Sequence, residues 1–300
     1  MKNDLLFFTS PIDLGHASRD VAIASRLDSN VSFVSGEHAV KMISGHGFIV
    51  KDLYRHNGFE VSSSGELIHP LRWIMNYYSF YKKCKDIARG LIDNHTLVVA
   101  GEDFAAISVA EESKIPNIVI TDILQINFTK GIAAVIEKKM NRAMAKMINK
   151  STLVIIPDHG DDVDNLAYVG PIVREVRRDR ERLREEFGFS NRTILVSRGT
   201  SAGSFLVNKA VDTYKKMKGK LDAEMIVVSG LALHIELQGV KCVGYVNNLH
   251  EMIYASDLLI SLAGRSTIDE ANTYGTPGIF IPIRNHFEQV ENAEARIYVQ

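Results

Sequence analysis

Short apolar runs bounded by turn residues alternate along this chain with longer stretches of helical spacing. Leu5 to Thr9 is the first such run, and Val21, Ala24 and Leu27 then recur at helical intervals. This alternation predicts an α/β fold with parallel sheets. The predicted strands are 5–9, 31–34, 48–50, 96–100, 117–121, 153–156, 193–197, 225–229, 241–243, 258–262 and 278–283. Helices are predicted over 16–27, 37–44, 70–94, 132–148 and 174–186.

The length of the chain predicts two domains of this type, since 300 residues exceed what one compact core usually takes. Pro157 to Pro171 is rich in turn formers and acids, which is typical of a linker. Arg174 to Glu186 alternates arginine with acidic residues, which predicts a solvent-exposed helix. The expected domains are 1–157 and 193–300, joined by a linker and connecting helix over 158–192.

Residues 257–291 read as one complete strand, helix and strand unit. The apolar runs 258–262 and 278–283 are typical of buried parallel strands. Ligands in open parallel sheets bind beyond the carboxyl ends of the strands. The polar loops 263–267 and 284–289 are therefore predicted to share one ligand-binding rim.

The polar residues of these two loops follow a distinctive order. A small residue, Gly and Ser/Thr precede a Glu, and Gly-x-Pro and His-Phe-Glu-Gln follow, with an Asn shortly after. This order resembles the donor half of GT-B glycosyltransferases, in particular the branch of the bacterial lipid II N-acetylglucosaminyltransferase and related uncharacterised transferases. The resemblance implies that Glu270 holds the ribose hydroxyls of a nucleotide sugar, and that Glu288 and Gln289 reach its sugar.

The resemblance also implies the architecture, two Rossmann-like domains that face each other across a cleft, with the donor in the C-terminal one. Simple chemistry agrees, because a carboxylate accepts two hydroxyl hydrogen bonds and the N–H groups at a helix N-terminus suit phosphate oxygens. Small residues in the turn 198–203 suit an anion in the same way. The predicted donor-binding residues are Gly199, Thr200, Ser201, Gly203, Val246, Gly264, Arg265, Ser266, Thr267, Glu270, His286, Glu288 and Gln289.

The predicted acceptor domain offers a candidate base. In the family a Gly-His pair follows the first strand, as Gly15 and His16 do here, and an imidazole can take a hydroxyl proton near neutral pH. The alternative is that His16 only caps its helix. Asp103 and Asp122 follow two other predicted strands and are candidates to orient His16 or to bind an acceptor hydroxyl, although capping is the alternative for Asp103.

Composition and motifs exclude several other classes. A net charge of -1 and a pI near 6.8 show no overall excess of positive charge of the kind that binds nucleic acid. Cys84 and Cys242 lie far apart without metal spacing, so neither a disulfide nor a zinc site is expected. The turn 198–203 lacks the Gly-Lys-Ser/Thr ending of a Walker A loop. Asp162 and Asp164 spell Asp-x-Asp without further oxygen ligands at suitable spacing, so we predict no metal and no required cofactor.

The expected location is the cytoplasm, since the first apolar run is too short for a signal peptide and no run is long enough to cross a bilayer. The stretch 70–94 combines aromatic residues with lysines. Aromatic stripes usually pack inside, so we expect a core-facing helix whose lysines point to water. In the alternative interpretation, Trp73, Tyr77, Tyr78 and Phe80 form a peripheral contact with the inner membrane surface.

We therefore predict an inverting, metal-independent glycosyltransferase that moves a sugar from a nucleotide sugar, expected to be a UDP-sugar, to a hydroxyl of a lipid-linked or small-molecule acceptor. Two alternatives stay open, a nucleotide-sugar 2-epimerase of the same fold and a non-catalytic nucleotide-sugar-binding subunit. The sequence stops at Gln300 inside a predicted helix, whereas GT-B chains usually continue with further helices, so a short or truncated C-terminal domain is expected.

Overall fold

A computed structural model describes residues 4–56, 58–92, 97–127, 133–199, 203–217, 219–230 and 240–295. The chain forms two compact α/β units. Unit 1 comprises Met1–Gly58 and His69–Ile172, and unit 2 comprises Phe59–Ile68 and Val173–Gln300. Each unit has its own parallel sheet, which confirms the predicted fold class of two Rossmann-like α/β domains.

The elements follow the predicted alternation closely. The strands are β1 (Asp4–Thr9), β2 (Asn30–Ser35), β3 (Ile49–Asp52), β4 (Glu60–Val61), β5 (Leu67–Ile68), β6 (Val98–Gly101), β7 (Asn117–Ile120), β8 (Leu153–Ile156), β9 (Leu166–Tyr168), β10 (Thr193–Ser197), β11 (Glu224–Val228), β12 (Lys241–Val243), β13 (Leu258–Leu262) and β14 (Gly278–Ile281). The helices are α1 (Leu14–Ala24), α2 (Glu37–Gly45), α3 (Pro70–Arg89), α4 (Phe104–Glu112), α5 (Ala133–Lys150), α6 (Arg180–Phe187), α7 (Ser204–Met217), α8 (Leu249–Ala255), α9 (Arg265–Tyr274) and α10 (Phe287–Ala295).

The sheet of unit 1 has the order β3-β2-β1-β6-β7-β8-β9, with every neighbouring pair parallel. Helices cover both faces, because successive side chains of a strand point to opposite sides. Phe7 packs with Val21 and Ile43 of α1 and α2, while Phe8 packs with Cys84 and Ala106 of α3 and α4. The strand order reverses between β1 and β6, and the loops after these two strands meet at the carboxyl edge of the sheet.

The sheet of unit 2 has the order β12-β11-β10-β13-β14 and is parallel throughout. Leu195 and Ile226 are fully buried on the face covered by α6 and α8, and Val196 and Val227 on the face covered by α7. Its strand order reverses between β10 and β13. Both predicted phosphate-binding turns, after β10 and after β13, thus lie at the position where open sheets of this kind bind ligands.

A small antiparallel hairpin, β4–β5, belongs to unit 2 although its sequence lies within the predicted first domain. It contacts the loop after β14, where Glu66 and Arg284 form a parallel bridge. Two residues per strand give too little periodicity for a prediction from sequence. The chain therefore passes between the two units at Gly58, His69 and Val173.

The helix predicted over 174–186 is shorter than expected and begins only at Arg180. Asp179 caps it by accepting a hydrogen bond from the Arg182 amide, and Gly188 ends it in the left-handed conformation. Before the cap, Arg174 and Arg178 pair with Glu270 and Glu251, acids far away in sequence. The prediction of a solvent-exposed helix over this whole run is therefore wrong.

Three of the four aromatic residues that the membrane alternative invokes are half-buried, as the core-facing interpretation expects. Trp73 stacks on Tyr77 with ring centroids 5.4 Å apart, and the Phe80 ring lies 4.8 Å from that of His56. Only Tyr78, at 56% exposure, projects into solvent. None of the described helices combines the length and the apolar character needed to cross a bilayer.

Candidate functional site

The first site residue of unit 1, His16, lies in the first turn of α1, directly beyond β1. The helix is capped by Asp13, whose side chain accepts a hydrogen bond from the Gly15 amide at 3.3 Å. His16 therefore does not serve as the N-cap, the alternative role that its sequence position leaves open. Its side chain is 11% exposed and is turned toward the residues that follow β6.

The partner of His16 is Glu102, a residue that the sequence analysis did not single out. The Glu102 Oε2 atom lies 3.3 Å from His16 Nδ1, and the carboxylate is 8% exposed. Glu102 directly follows β6 and adopts a left-handed φ of 54°, which residues other than glycine rarely do. Such strain is retained where the surrounding structure holds it, commonly at functional sites. The result is a buried histidine–carboxylate pair at the reversal point of the sheet.

A buried arginine completes this cluster. Arg19 Nη2 lies 3.1 Å from Glu102 Oε1 and 3.1 Å from His16 Nδ1, and Arg19 Nη1 lies 3.0 Å from Asp122 Oδ1. Asp122, a predicted site residue, thus contacts Arg19, the same guanidinium that contacts Glu102.

The ionisation of the cluster follows from its charges. Burial by itself lowers the pKa of His16, but the charge of Glu102 and its hydrogen bond outweigh burial and raise that pKa from 6.5 to about 9. Burial also raises the pKa of Glu102, against the opposing charges of His16 and Arg19. The raised pKa means that His16 holds a proton at neutral pH, beside Glu102. An incoming hydroxyl proton can move to His16 only after this imidazolium has lost its own proton.

Asp103, the other predicted acid, has a structural environment. Its Oδ1 accepts hydrogen bonds from the amides of Ala105 and Ala106, both at 3.0 Å, which caps α4. Its Oδ2 accepts the Tyr54 hydroxyl hydrogen bond at 2.5 Å, and burial raises its pKa. These contacts favour the capping interpretation, and it is the neighbouring Glu102 that reaches His16.

In unit 2, the turn between β13 and α9 presents the start of a helix at the carboxyl edge. Gly264 is the N-cap residue of α9, with extended backbone and no side-chain capping bond. Ser266 and Thr267 lie in the first turn, and the start of a helix is an environment that suits an anion. The Arg265 side chain is buried and donates to Asp269 Oδ2 at 3.2 Å, four residues along the same helix. Predicted binding residues therefore share this helix start, as their spacing suggested.

Glu270 lies on the same helix but is paired with an arginine. Arg174 Nε donates to Glu270 Oε1 at 2.9 Å and Arg174 Nη2 to Oε2 at 3.3 Å. Both side chains are about 5% exposed. The arginine is itself held, because its Nη1 donates to the Asn247 carbonyl and Tyr274 donates to the Arg174 carbonyl. No local pattern in the sequence connects residues 174 and 270, so Arg174 was missed.

The second rim, after β14, carries the His-Phe-Glu-Gln motif at the start of α10. Gln289 closes the loop on itself, since its Oε1 accepts a hydrogen bond from the Ile283 amide at 3.0 Å. The His286 ring is buried and lies parallel to that of Phe287, with centroids 6.4 Å apart. Glu288 is half-buried in the first turn of α10. The loop between the strand and the helix thus has one defined shape.

The turn after β10 is described only at its two ends. Gly199 adopts a φ of 68°, and a side chain at Gly203 would lie 1.9 Å from the Arg198 carbonyl oxygen, so both positions require glycine. Arg198 is buried and donates to the Ser229 carbonyl at 3.2 Å. The predicted residues Thr200 and Ser201 lie outside the described residues. Val246 is half-buried against the core beneath α8.

No group of three or more histidine, cysteine, aspartate or glutamate side chains among the described residues could hold a metal ion. Asp162, in the Asp-x-Asp triplet, accepts a hydrogen bond from the Tyr168 amide at 2.8 Å. Both cysteines have free thiols.

Comparison with known proteins identifies a family domain in the C-terminal third of the chain. Residues 193–295 match the Glycosyltransferase family 28 C-terminal domain. An uncharacterized glycosyltransferase of Methanopyrus kandleri is 29% identical over 216 residues, which cover 66% of this chain and 60% of that protein. The UDP-N-acetylglucosamine–N-acetylmuramyl-(pentapeptide) pyrophosphoryl-undecaprenol N-acetylglucosamine transferase of Desulforamulus reducens is 27% identical, covering 52% of this chain and 47% of that enzyme. The chain thus spans about half to three-fifths of these relatives.

Solved structures agree at the level of the fold. The glycotransferase of kitacinnamycin superposes with a TM-score of 0.63 at 13% identity, covering 98% of this chain and 84% of that one. A structure described as a putative UDP-N-acetylglucosamine 2-epimerase from Listeria monocytogenes superposes with a TM-score of 0.53 at 11% identity, covering 93% and 79%. The resemblance to GT-B glycosyltransferases, predicted from the motifs, is confirmed by the family match and by these neighbours.

Proposed function

We propose that this chain, whose residues 193–295 carry a family 28 glycosyltransferase domain, transfers a sugar from a nucleotide sugar to an acceptor hydroxyl. The proposal depends on one observation, that the family match and the candidate donor-binding residues occupy the same part of the chain. The family match covers the sheet edge at which the glycine turn, Glu270 and the His-Phe-Glu-Gln loop lie together in one unit. The names of the relatives favour UDP-N-acetylglucosamine as the donor.

In the proposed reaction the acceptor oxygen attacks the anomeric carbon while the bond from that carbon to the diphosphate oxygen breaks. The hydroxyl proton passes to His16, whose Nδ1 is occupied by Glu102, so Nε2 is the receiving atom. The departing diphosphate gains negative charge, which the amides at the start of α9 and the Arg265 guanidinium stabilise. A single displacement of this kind inverts the anomeric configuration, and it requires no metal ion.

A second candidate function, 2-epimerisation of the nucleotide sugar, is favoured by one structural neighbour. It would need a further acid and base beside the sugar, for which Glu288 is available. The two functions make different products from the same donor. Transfer releases UDP and, with water as the slow acceptor, free sugar, whereas epimerisation leaves the nucleotide sugar intact with a changed C2 configuration.

Proton NMR of UDP-N-acetylglucosamine incubated with the protein tests the proposal. We expect UDP and N-acetylglucosamine to accumulate slowly, with the sugar first appearing as the β-anomer because the donor is α-linked. A new UDP-sugar without released UDP would instead establish the epimerase, and first appearance of the α-anomer would contradict the single displacement. Tight binding of the donor with neither product would support the non-catalytic subunit.

The acceptor is proposed to be presented at a membrane surface, because α3 carries an exposed apolar stripe. Leu71, Met75 and Tyr78, spaced at i, i+4 and i+7, are 48, 71 and 56% exposed. Lys82 lies over the Tyr78 ring, 4.5 Å from its centroid, and Lys83 is exposed beside it. Apolar and basic residues on one helix face are typical of peripheral membrane contact.

We expect the protein to sediment with anionic phosphatidylglycerol vesicles at low salt and to be released as salt rises, since salt screens the lysine attraction. Replacing Leu71, Met75 and Tyr78 together by serine should abolish sedimentation. The matched control is Ile49→Ser, which removes an equally exposed apolar side chain from β3 and should leave sedimentation unchanged. A wild-type protein that stays in the supernatant at low salt would refute the membrane contact.

A further inference from the structure

The hairpin β4–β5 reaches the rim loop that follows β14. The Leu67 amide donates to the Arg284 carbonyl at 2.8 Å, and the Arg284 amide donates to the Gly65 carbonyl at 2.9 Å. These two bonds make the loop a short additional strand beside β5. The hairpin is therefore joined through backbone hydrogen bonds to the segment that carries the His-Phe-Glu-Gln motif.

The tip of the hairpin also contacts helix α7, which follows the predicted phosphate-binding turn after β10. Gly65 adopts a φ of 77°, and a side chain there would lie 2.5 Å from the Phe205 ring. Phe205 is the second residue of α7, the helix that begins where the turn 198–203 ends. The tip thus packs against both the start of α7 and the rim loop, and only glycine fits between them.

Side chains of the hairpin hold the rim loop in an unusual conformation. Asn285 has a φ of 65°, and its Nδ2 donates to Glu66 Oε1 at 2.9 Å. Arg284 Nη2 donates to Ser64 Oγ at 3.1 Å. Asparagine tolerates the left-handed region better than most residues, but it still prefers other conformations. The bond to Glu66 therefore biases the loop toward the shape observed.

The shape of this loop determines where the motif residues lie. Asn285 immediately precedes His286, whose ring packs edge-on against Phe59 at a centroid distance of 4.8 Å. Helix α10 begins at the next residue, and Gln289 bonds back to the Ile283 amide. A change of backbone conformation at Asn285 would consequently swing the first turn of α10 with Glu288 and Gln289.

We infer that the hairpin of residues 60–68 is a positioning element of the donor site, which fixes Glu288 and Gln289 for the transferred sugar. The inference rests on the proposed function and extends it to a segment outside the family match of residues 193–295. The hairpin acts on the sugar end of the donor. The nucleotide is held by α9 and Glu270 in this account, so loss of the bond between Glu66 and Asn285 is expected to affect the sugar end alone.

If the hairpin positions only the residues at the sugar end, its variants should bind the nucleotide sugar more weakly but bind UDP normally. Calorimetry with UDP-N-acetylglucosamine and with UDP measures both affinities. Glu66→Ala should weaken binding of the nucleotide sugar by about three- to tenfold, the usual net effect of one lost hydrogen bond, and leave UDP binding within about twofold. Asn285→Gly keeps the left-handed backbone and loses the same bond, so it should match Glu66→Ala. Asn285→Ala loses the bond to Glu66 and also disfavours the left-handed backbone, so it should bind the nucleotide sugar more weakly than Glu66→Ala or Asn285→Gly.

Gly65→Ala is the strongest perturbation, because it conflicts with both the backbone conformation and Phe205. It should raise KM for the nucleotide sugar more than it lowers kcat. Melting temperatures identify any variant that fails to fold. If Gly65→Ala does not fold, the Glu66 and Asn285 variants test the inference without it. Lys114→Ala is the control, since Lys114 shares the left-handed φ, at 57°, but belongs to unit 1.

Equal losses of UDP and nucleotide-sugar affinity in these variants, or no loss of either, would overturn the positioning role while leaving the proposed function intact. A wild-type protein that binds neither ligand would instead remove the proposed function, and the positioning role with it.

Discussion

Replacing His16 by alanine is expected to lower the turnover of sugar transfer by about 100- to 10,000-fold, the usual contribution of general-base catalysis. The affinity for the donor should change little, because His16 lies in unit 1 and the predicted donor-binding residues lie in unit 2. Turnover is read from UDP release, and donor affinity from calorimetry on the same preparation.

The control for this variant is His46→Ala. His46 is also a partly buried histidine of unit 1, at the end of α2, where its Nδ1 lies 2.8 Å from the Met42 carbonyl. It lies at the end of a crossover helix, away from the carboxyl edge of the sheet, so its loss should affect stability alone. A folded His16→Ala protein with near wild-type turnover would disprove the role of His16 and direct attention to Glu102.

Glu270→Gln is expected to weaken binding of both UDP and UDP-N-acetylglucosamine by roughly 1.5–3 kcal/mol, or about ten- to 150-fold, since the ribose is common to the two ligands. This pattern differs from that of the hairpin variants, which separate the two ligands. Glutamine is the appropriate replacement. It keeps the side-chain volume and one acceptor oxygen for Arg174, which alanine does not. Either replacement removes the charge that pairs with the buried guanidinium, at a cost of up to about 3–5 kcal/mol of stability, so affinities are compared only on protein shown to be folded.

Asp257→Asn serves as the matched control for Glu270. Asp257 also pairs with arginines, Arg180 and Arg184, but it precedes β13 and so lies at the edge of the sheet opposite the proposed site. Its substitution should lower the melting temperature and leave ligand binding unchanged. Unaltered affinity for both ligands in Glu270→Gln would remove Glu270 from the donor site.

The location of both sites could be predicted because it depends on strands and turns. Buried parallel strands produce short apolar runs, and those runs place His16 and Gly264 at carboxyl edges before any coordinate is known. The identity of the acid beside His16 could not be predicted in this way. Asp103 and Glu102 are adjacent, and the left-handed backbone at Glu102 lets it face His16 while Asp103 caps α4.

Contacts between residues far apart in the sequence could not be predicted either. Arg174 lies within a run of alternating charges that predicts a helix, and only the folded unit brings it to Glu270, 96 residues away. The hairpin has strands of two residues, too short for any periodic signal, and its partner loop lies about 220 residues away. Sequence patterns of local period carry no information about such pairings.

The pH dependence of turnover in the wild-type protein and in Glu102→Gln tests the central claim most directly, that the His16–Glu102 pair is the catalytic base. His16 must be neutral to accept a proton, so the wild-type rate should rise about tenfold per pH unit and level off near pH 9, where the pair loses its proton. Without the Glu102 charge, burial should keep the pKa of His16 at or below its ordinary 6.5, so the Glu102→Gln rate should level off at least two units lower. Profiles that level off at the same pH in both proteins, or a wild-type rate independent of pH between 6 and 9, would contradict the account.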